Sequence, residues 1–209
     1  MPSADPSENR PGLLKRPQQE RSRITVEAVL EAAFQVLTAH GFDGLTTTAV
    51  AERAGVSVGT LYQYVPDKAA LVGAVVEAYL AREEAALRAV LDEGDGLPLG
   101  VLLDRLIDAF IGIQAEATDR SAAILTGAEQ VGWTGGIDAL TDRVLALILP
   151  ALLDRAGEIA RPDAERAAFA VVHALDGFIR RAVIERPEDV ASGVAAEEAK
   201  ALVRGYLLG

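Results

Sequence analysis

The sequence predicts an all-α fold of about nine helices, with an N-terminal three-helix head and a C-terminal helical bundle. Three observations predict it. Half of the 209 residues are hydrophobic but only 5% are aromatic, and the apolar share is carried by Ala and Leu, which favour helix over sheet. Apolar residues recur at three- and four-residue spacings in successive segments, and no segment reads as a strand. Between Leu45 and Leu71, the run LTTTAVAERAGVSVGTLYQYVPDKAAL reads as helix, tight turn, helix and the start of a further helix.

Residues 1–20 hold four of the nine prolines and few apolar residues, so they read as a disordered basic arm. Helix 1 is expected over about Ser22 to His40. Val26, Val29, Leu30, Ala33, Phe34 and Leu37 form one apolar stripe, and Gly41 ends the helix as a C′ residue. Phe42 and Leu45 are placed to pack beneath the helix-turn-helix. Thr46 is a suitable N-cap for a helix at about 47–54. Gly55 stands where a tight turn needs a residue without Cβ. Ser57 can cap a third helix at about 58–64, and Pro66 and Asp67 end it and open the next.

Helix 4 is expected from Asp67 to about Glu93, with Leu71, Val75, Val76, Tyr79, Leu80, Leu87 and Leu91 on its buried side. Gly94 to Pro98 is a loop. Helix 5 spans about 99–117, with Leu102, Leu103, Leu106, Ile107, Phe110 and Ile113 facing inward. A shorter helix at about 119–131 ends near the GWTGG break. Helix 7 runs from about Ile137 to Ala156, with a kink expected at Pro150. Pro162 opens helix 8 at about 163–185. The segment after Pro187 is expected to be a loop before a final helix from Ala195 to Leu208. The domain division is a head at 21–66 and a body at 67–209.

The head carries a specific resemblance. ERAGVSVGTLYQYVPDKAAL is similar to the DNA-binding signature of the tetracycline-repressor (TetR) family of bacterial transcriptional regulators. The matched core is Thr46, Ala51, Ala54, Gly55, Val56, Ser57, Gly59, Thr60, Leu61, Tyr62, Tyr64, Lys68 and Leu71. The resemblance covers roughly residues 20–75. It implies that Tyr62 and Lys68 hold phosphates, and that Thr48, Val58, Gly59, Thr60 and Gln63 face bases or backbone. With the neighbouring polar positions added, the candidate DNA-binding set is Arg23, Thr46, Thr47, Thr48, Ser57, Val58, Gly59, Thr60, Tyr62, Gln63, Tyr64 and Lys68. A structural reading stands beside it, in which Tyr62 and Tyr64 are half-buried aromatics with wet hydroxyls. Arg21 and Arg23 contact phosphate or the flanking minor groove, or are solvated charges at the edge of a tail.

Net charge is −11, which is unusual for a DNA binder, but it is unevenly spread. Residues 1–68 carry seven Lys/Arg against eight Asp/Glu, and residues 69–209 carry thirteen against twenty-three. Affinity must therefore come from a few placed contacts doubled by dimerisation rather than from bulk charge. No apolar run is long enough to span a bilayer and the N-terminus has no secretory apolar core. With zero Cys, disulfides and thiolate chemistry are excluded, and a cytoplasmic location is expected.

For the body, the resemblance implies a small-molecule pocket inside the bundle. The candidates are Phe110, Gln114, Trp133 and His173, around an apolar guest. His173, Asp176 and Arg180 lie at i, i+3 and i+7, on one helix face; a hydrogen-bonded structural spot is the plainer reading of such groups. Helix 8 and the final helix are expected to form the dimer face, because the stripe Ala168, Val171, Val172, Leu175, Phe178 and Ile179 on helix 8 is larger than one body needs and such stripes pair across a two-fold axis. Asp104 and Asp108 read as a solvated helix face. His40 and His173 are too isolated for a metal site, no cofactor is expected, and no nucleophile or triad context supports an enzyme.

The functional expectation is a homodimeric regulator that binds double-stranded DNA at a palindromic operator, most simply a repressor released by a small ligand. Two alternatives stay open: a transcriptional activator using the same helix-turn-helix, and a ligand-binding helical module in which it serves packing.

Overall fold

The computed structural model describes residues 20–116, 118–130, 132 and 134–209, with backbone alone at 20–23, 134–138 and 140. Among the described residues there is no strand. The helices are α1 (Glu20–Gly44), α2 (Thr47–Ala54), α3 (Val58–Tyr62), α4 (Lys68–Glu93), α5 (Leu99–Glu116), α6 (Thr118–Gln130), α7 (Thr134–Leu153), α8 (Ala164–Glu185), α9 (Pro187–Ser192) and α10 (Val194–Leu207). The residues up to Leu80 form one compact unit with Ala122–Gly136, and Ala81–Ser121 forms a second with Ile137–Gly209. α4, α6 and α7 each supply residues to both units.

In the first unit most of the predicted stripe of α1 is buried: Val26, Val29, Leu30, Ala33 and Leu37 are all at most 4% exposed, and Phe34 is half-buried. Each fully buried Leu or Val stabilises by roughly 1.5–3 kcal/mol. Gly41 takes φ 64 and breaks the helical path, as a glycine in the left-handed region does at helix ends. α2 packs on α1, and Arg53 Nε donates to Gln35 Oε1 across that seam at 2.7 Å. Leu45, Val50, Leu61, Val65 and Leu71 are fully buried. The second half of α6 adds Ile124, Leu125 and Ala128 to this core, with Gly127 close to Leu37 and Phe42.

The second unit is built around α5, which buries Leu102, Leu103, Leu106, Ile107, Ile111 and Ile113. α10 packs along α5. Asp104 and Asp108, expected to be merely solvated, instead pin that pair. Arg204 donates Nε to Asp104 Oδ1 at 2.8 Å and Nη2 to Oδ2, a bidentate fork, and Lys200 Nζ lies 2.7 Å from Asp108. The hydrogen bonds from Asp108 and Glu197 raise the Lys200 pKa above its ordinary value. Glu83 and Gln114 are buried together, with the Gln114 amide donating to the Glu83 carboxylate.

Three expectations are corrected. The segment after Pro187 is not a loop but α9, with Pro187 in its first turn, Glu188 and Asp189 beside its positive end, and Gly193 at φ 84 closing it. That makes ten helices rather than nine among the described residues. Pro162 lies two residues before the start of α8 at Ala164 rather than at its first position, and the N-cap is Asp163, accepting from the Arg166 N–H at 2.9 Å. α7 starts at Thr134, so Gly135 and Gly136 of the expected break are helical, and it ends at Leu153 rather than Ala156; Gly132 stands before it at φ 68. Trp133 lies outside the described residues.

Candidate nucleic-acid interface and ligand cavity

The head is organised by its caps. The Thr46 hydroxyl accepts from the Ala49 N–H at 3.1 Å and starts α2. Gly55, at φ 69 and ψ 27, ends it in the left-handed region. The Val56 N–H donates back to the Ala51 carbonyl at 3.0 Å, closing the turn. Ser57 then accepts from the Thr60 N–H at 3.0 Å and starts α3, and its hydroxyl shares a further hydrogen bond with that of Thr60 at 2.8 Å.

α3 has an inner and an outer face. Leu61 and Tyr64 are buried, whereas Tyr62 is 47% exposed and Gln63 is exposed. The Tyr62 hydroxyl lies 3.2 Å from the Thr47 hydroxyl, so α2 and α3 fix its direction jointly. Gly59 is exposed, and a Cβ built there would meet nothing nearer than the Ser57 hydroxyl at 3.8 Å. Nothing inside the protein requires glycine at this position. Thr48 is exposed, and Thr47, Val58 and Thr60 are half-buried. Asp67 caps α4 through the Ala70 N–H at 2.8 Å, and Lys68 Nζ sits 3.8 Å over the Phe42 ring, a cation–π contact that holds the ammonium on the first turn of α4.

The second unit contains a cavity with room for water centres over about 80 Å³. Its wall is almost wholly apolar: Leu87, Leu103, Leu106, Ile107 and Phe110 from α4 and α5, Val144, Ile148 and Leu152 from α7, Val171, Val172, Leu175 and Ile179 from α8, and Val203 from α10. Only Thr141 and Asp176 are polar. Arg180 reaches back one turn to pair with the Asp176 carboxylate, and Thr141 hydrogen-bonds it from α7. Burial nevertheless raises the Asp176 pKa above its ordinary value, outweighing the attraction of Arg180, the hydrogen bonds from Thr141 and Arg180, and the more distant His173.

Residues 29–75, which include α2 and α3, match the bacterial regulatory proteins of the tetR family, and residues 98–207 match a tetracycline-repressor-like C-terminal domain. The chain belongs to the tetR family of regulators. It is similar to the HTH-type transcriptional regulator TtgR of Pseudomonas putida, 30% identical over 175 residues that cover 78% of this chain and 82% of the relative. The tetracycline repressor of class D from Escherichia coli is 41% identical over 61 residues, 29% of this chain and only 28% of that repressor. Among solved structures, a TetR-like regulator from Rhodococcus sp. RHA1 shares 26% identity at a TM-score of 0.62, over 87% of this chain and 94% of that one. A putative TetR-family regulator from Mesorhizobium loti matches in fold, with a TM-score of 0.70 at 19% identity over 91% and 100% of the two chains.

Set on this tetR-family framework, the expected site residues separate. Tyr64 lies in the turn that follows α3, is 8% exposed and belongs to the core of the head, so it does not share the exposed surface of Tyr62. The Arg23 side chain lies outside the described residues, as does Trp133. Of the expected pocket residues, Phe110 lines the cavity, whereas Gln114 is held by Glu83. His173 faces away: it donates from Nδ1 to the Phe169 carbonyl at 2.9 Å, stacks at 4.1 Å on the Phe169 ring and lies 3.9 Å from Asp142. The expected dimer stripe is corrected most fully. Ala168, Val171, Val172 and Ile179 are buried within the single chain, and Val171, Val172, Leu175 and Ile179 line the cavity, with Phe178 half-buried. Area already buried in one chain is not available to a second copy. Asp176, noted in the sequence as one of three polar groups on a helix face but not taken as lining, stands at the cavity with Thr141, which was visible only as a polar break in an apolar helix.

Proposed function

We propose that this chain is a homodimeric repressor that reads a palindromic operator with α3 and is released when a small apolar molecule occupies the cavity of the second unit. The outward face of α3 carries the reading. Gly59 is a glycine with open space in front of it, flanked by exposed Tyr62 and Gln63 and by Thr48, and a missing Cβ there serves only something that approaches from outside. A duplex fits, with backbone close to Gly59, phosphates on Tyr62 and Lys68, and base edges on Gln63 and Thr60. The reading head is residues 21–66, and the body from 67 onward holds the cavity.

Two heads must stand about one DNA turn apart to enter successive major grooves, so DNA binding calls for a second copy. The faces of α8 and α10 left open in one chain favour it: Phe169 is 53%, Val194 49% and Leu202 46% exposed, and large exposed apolar side chains mark partner surfaces. A guest that prefers one conformation of the body lowers operator affinity by linkage, and α4, α6 and α7, which supply residues to both units, are elements able to carry that preference.

The test is a footprint of the purified protein on the DNA upstream of its own gene, followed by titration with salt. A protected two-fold symmetric site, with affinity falling linearly in log salt, is expected. Uniform weak binding to all DNA, with no protected site, overturns the operator reading.

A further inference from the structure

The cavity wall has one ionisable side chain, and its chemistry narrows what can bind. Asp176 stands among Leu103, Ile107, Phe110 and Ile148, in a space of about 80 Å³ for water centres, roughly the room of five to eight water positions. That suits a guest of about ten heavy atoms. An ionised carboxylate offers about four lone-pair sites. Arg180 and Thr141 take two of them. No other lining residue carries a donor: the remainder of the wall is Leu, Ile, Val and Phe. The cavity therefore holds acceptor capacity with no donor of its own to fill it.

The charge balance narrows the choice further. Arg180 already neutralises Asp176, so a fully cationic guest would bring an uncompensated charge into an apolar space. An anionic guest would meet the carboxylate directly. Resting on the reading of the cavity as the inducer site, we propose that its guest is a neutral apolar molecule with one hydroxyl or N–H donor, received by the carboxylate of Asp176. Burial raises the Asp176 pKa, and a guest's hydroxyl donated to the carboxylate offsets part of that loss of water.

A matched set of probes tests it: 1-naphthol, 1-naphthylamine, 1-methoxynaphthalene and 1-naphthoate, bound to the full-length protein and followed by calorimetry and by melting temperature. The two donors should bind at least about tenfold tighter than the methoxy compound, the scale of one hydrogen bond to a charged acceptor, and naphthoate should bind weakest. In Asp176→Asn, which keeps the size and one acceptor, the donor preference should fall to about threefold or less. Equal affinity for naphthol and methoxynaphthalene in the unaltered protein overturns the proposal without any variant, while their binding leaves the cavity itself standing. A donor preference that survives Asp176→Asn also overturns it. Failure of all four probes to bind the folded protein removes the cavity as an inducer site and this inference with it. Donor-selective binding that leaves operator affinity unchanged upholds the guest's chemistry and rejects only its regulatory role.

Discussion

Tyr62 and Tyr64 are the same residue two positions apart, and the end of α3 between them gives them opposite fates. Tyr62 is half exposed and tied by its hydroxyl to Thr47, while Tyr64 is 8% exposed. Tyr62→Ala should weaken operator binding and flatten its salt dependence by about one charge if it holds a phosphate, with little change in melting temperature. Tyr64→Ala should destabilise the fold by about 3 kcal/mol, in the range for truncating a buried aromatic. Gel-shift titrations beside thermal melts separate the two; equal effects of both variants on binding, with unchanged melts, would overturn the assignment of faces. Gly55 is the other residue whose local geometry decides much. Its φ of 69 lies where a Cβ clashes with the backbone, so Gly55→Ala should destabilise the head by about 1–2 kcal/mol.

At the scale of elements, helix ends show where local sequence suffices. Ser57 caps α3 from its own segment, and Ser57→Ala should cost about 1 kcal/mol. The start of α5 is different. Its Leu99 N–H donates to the Glu158 carboxylate at 2.8 Å, from 59 residues away. Arg155 lies nearby. Its guanidinium donates to the carbonyls of Gly94, Leu97 and Ala151 at 2.9–3.0 Å. It therefore ties the loop before α5 to the end of α7. Arg155→Ala leaves three carbonyls without that donor and should cost about 2–3 kcal/mol, as expected for hydrogen bonds from a charged group. Urea unfolding followed by circular dichroism measures this; a loss below about 0.5 kcal/mol would show that water replaces the guanidinium.

At the scale of the molecule, the apolar face of α8 serves the interior of its own unit. Leu175→Glu is therefore expected to unfold the second unit, not to yield a folded monomer. The outer residues are the ones to alter for assembly. Phe169→Glu together with Leu202→Glu should leave a folded chain that sediments as a monomer and binds operator far more weakly; a variant that stays dimeric places the interface elsewhere. Asp176 adds a pH signature. Its folded pKa is raised above the ordinary value of 3.8, so its contribution to stability is largest below that value and is lost as pH rises through the raised one. The unaltered protein should lose stability relative to Asp176→Asn as pH rises across that window. The groups bearing on the carboxylate are Arg180 and His173 from α8 and the Thr141 hydroxyl from α7. A relative gain in stability with rising pH would mean that Arg180 outweighs burial.

By itself the sequence determined the local structure of this protein. The boundaries of α2, the glycine turn, the Thr46 and Ser57 caps, the interruption at Gly41 and most helix spans follow from interactions within four residues along the chain, which spacing and residue type encode directly. The family signature lies in the same short segment. The tertiary structure alone decided which apolar faces meet each other. A stripe such as Ala168, Val171, Leu175 and Ile179 announces that a face is buried, but its spacing is the same whether the neighbour is its own bundle or a second copy. It decided likewise that Asp104 and Asp108 meet Arg204 and Lys200 on a helix almost a hundred residues later, that Glu158 caps α5, and that Asp176 rather than His173 or Gln114 stands at the cavity wall. These are contacts between distant segments, fixed by how the helices pack and by no pattern within any one of them.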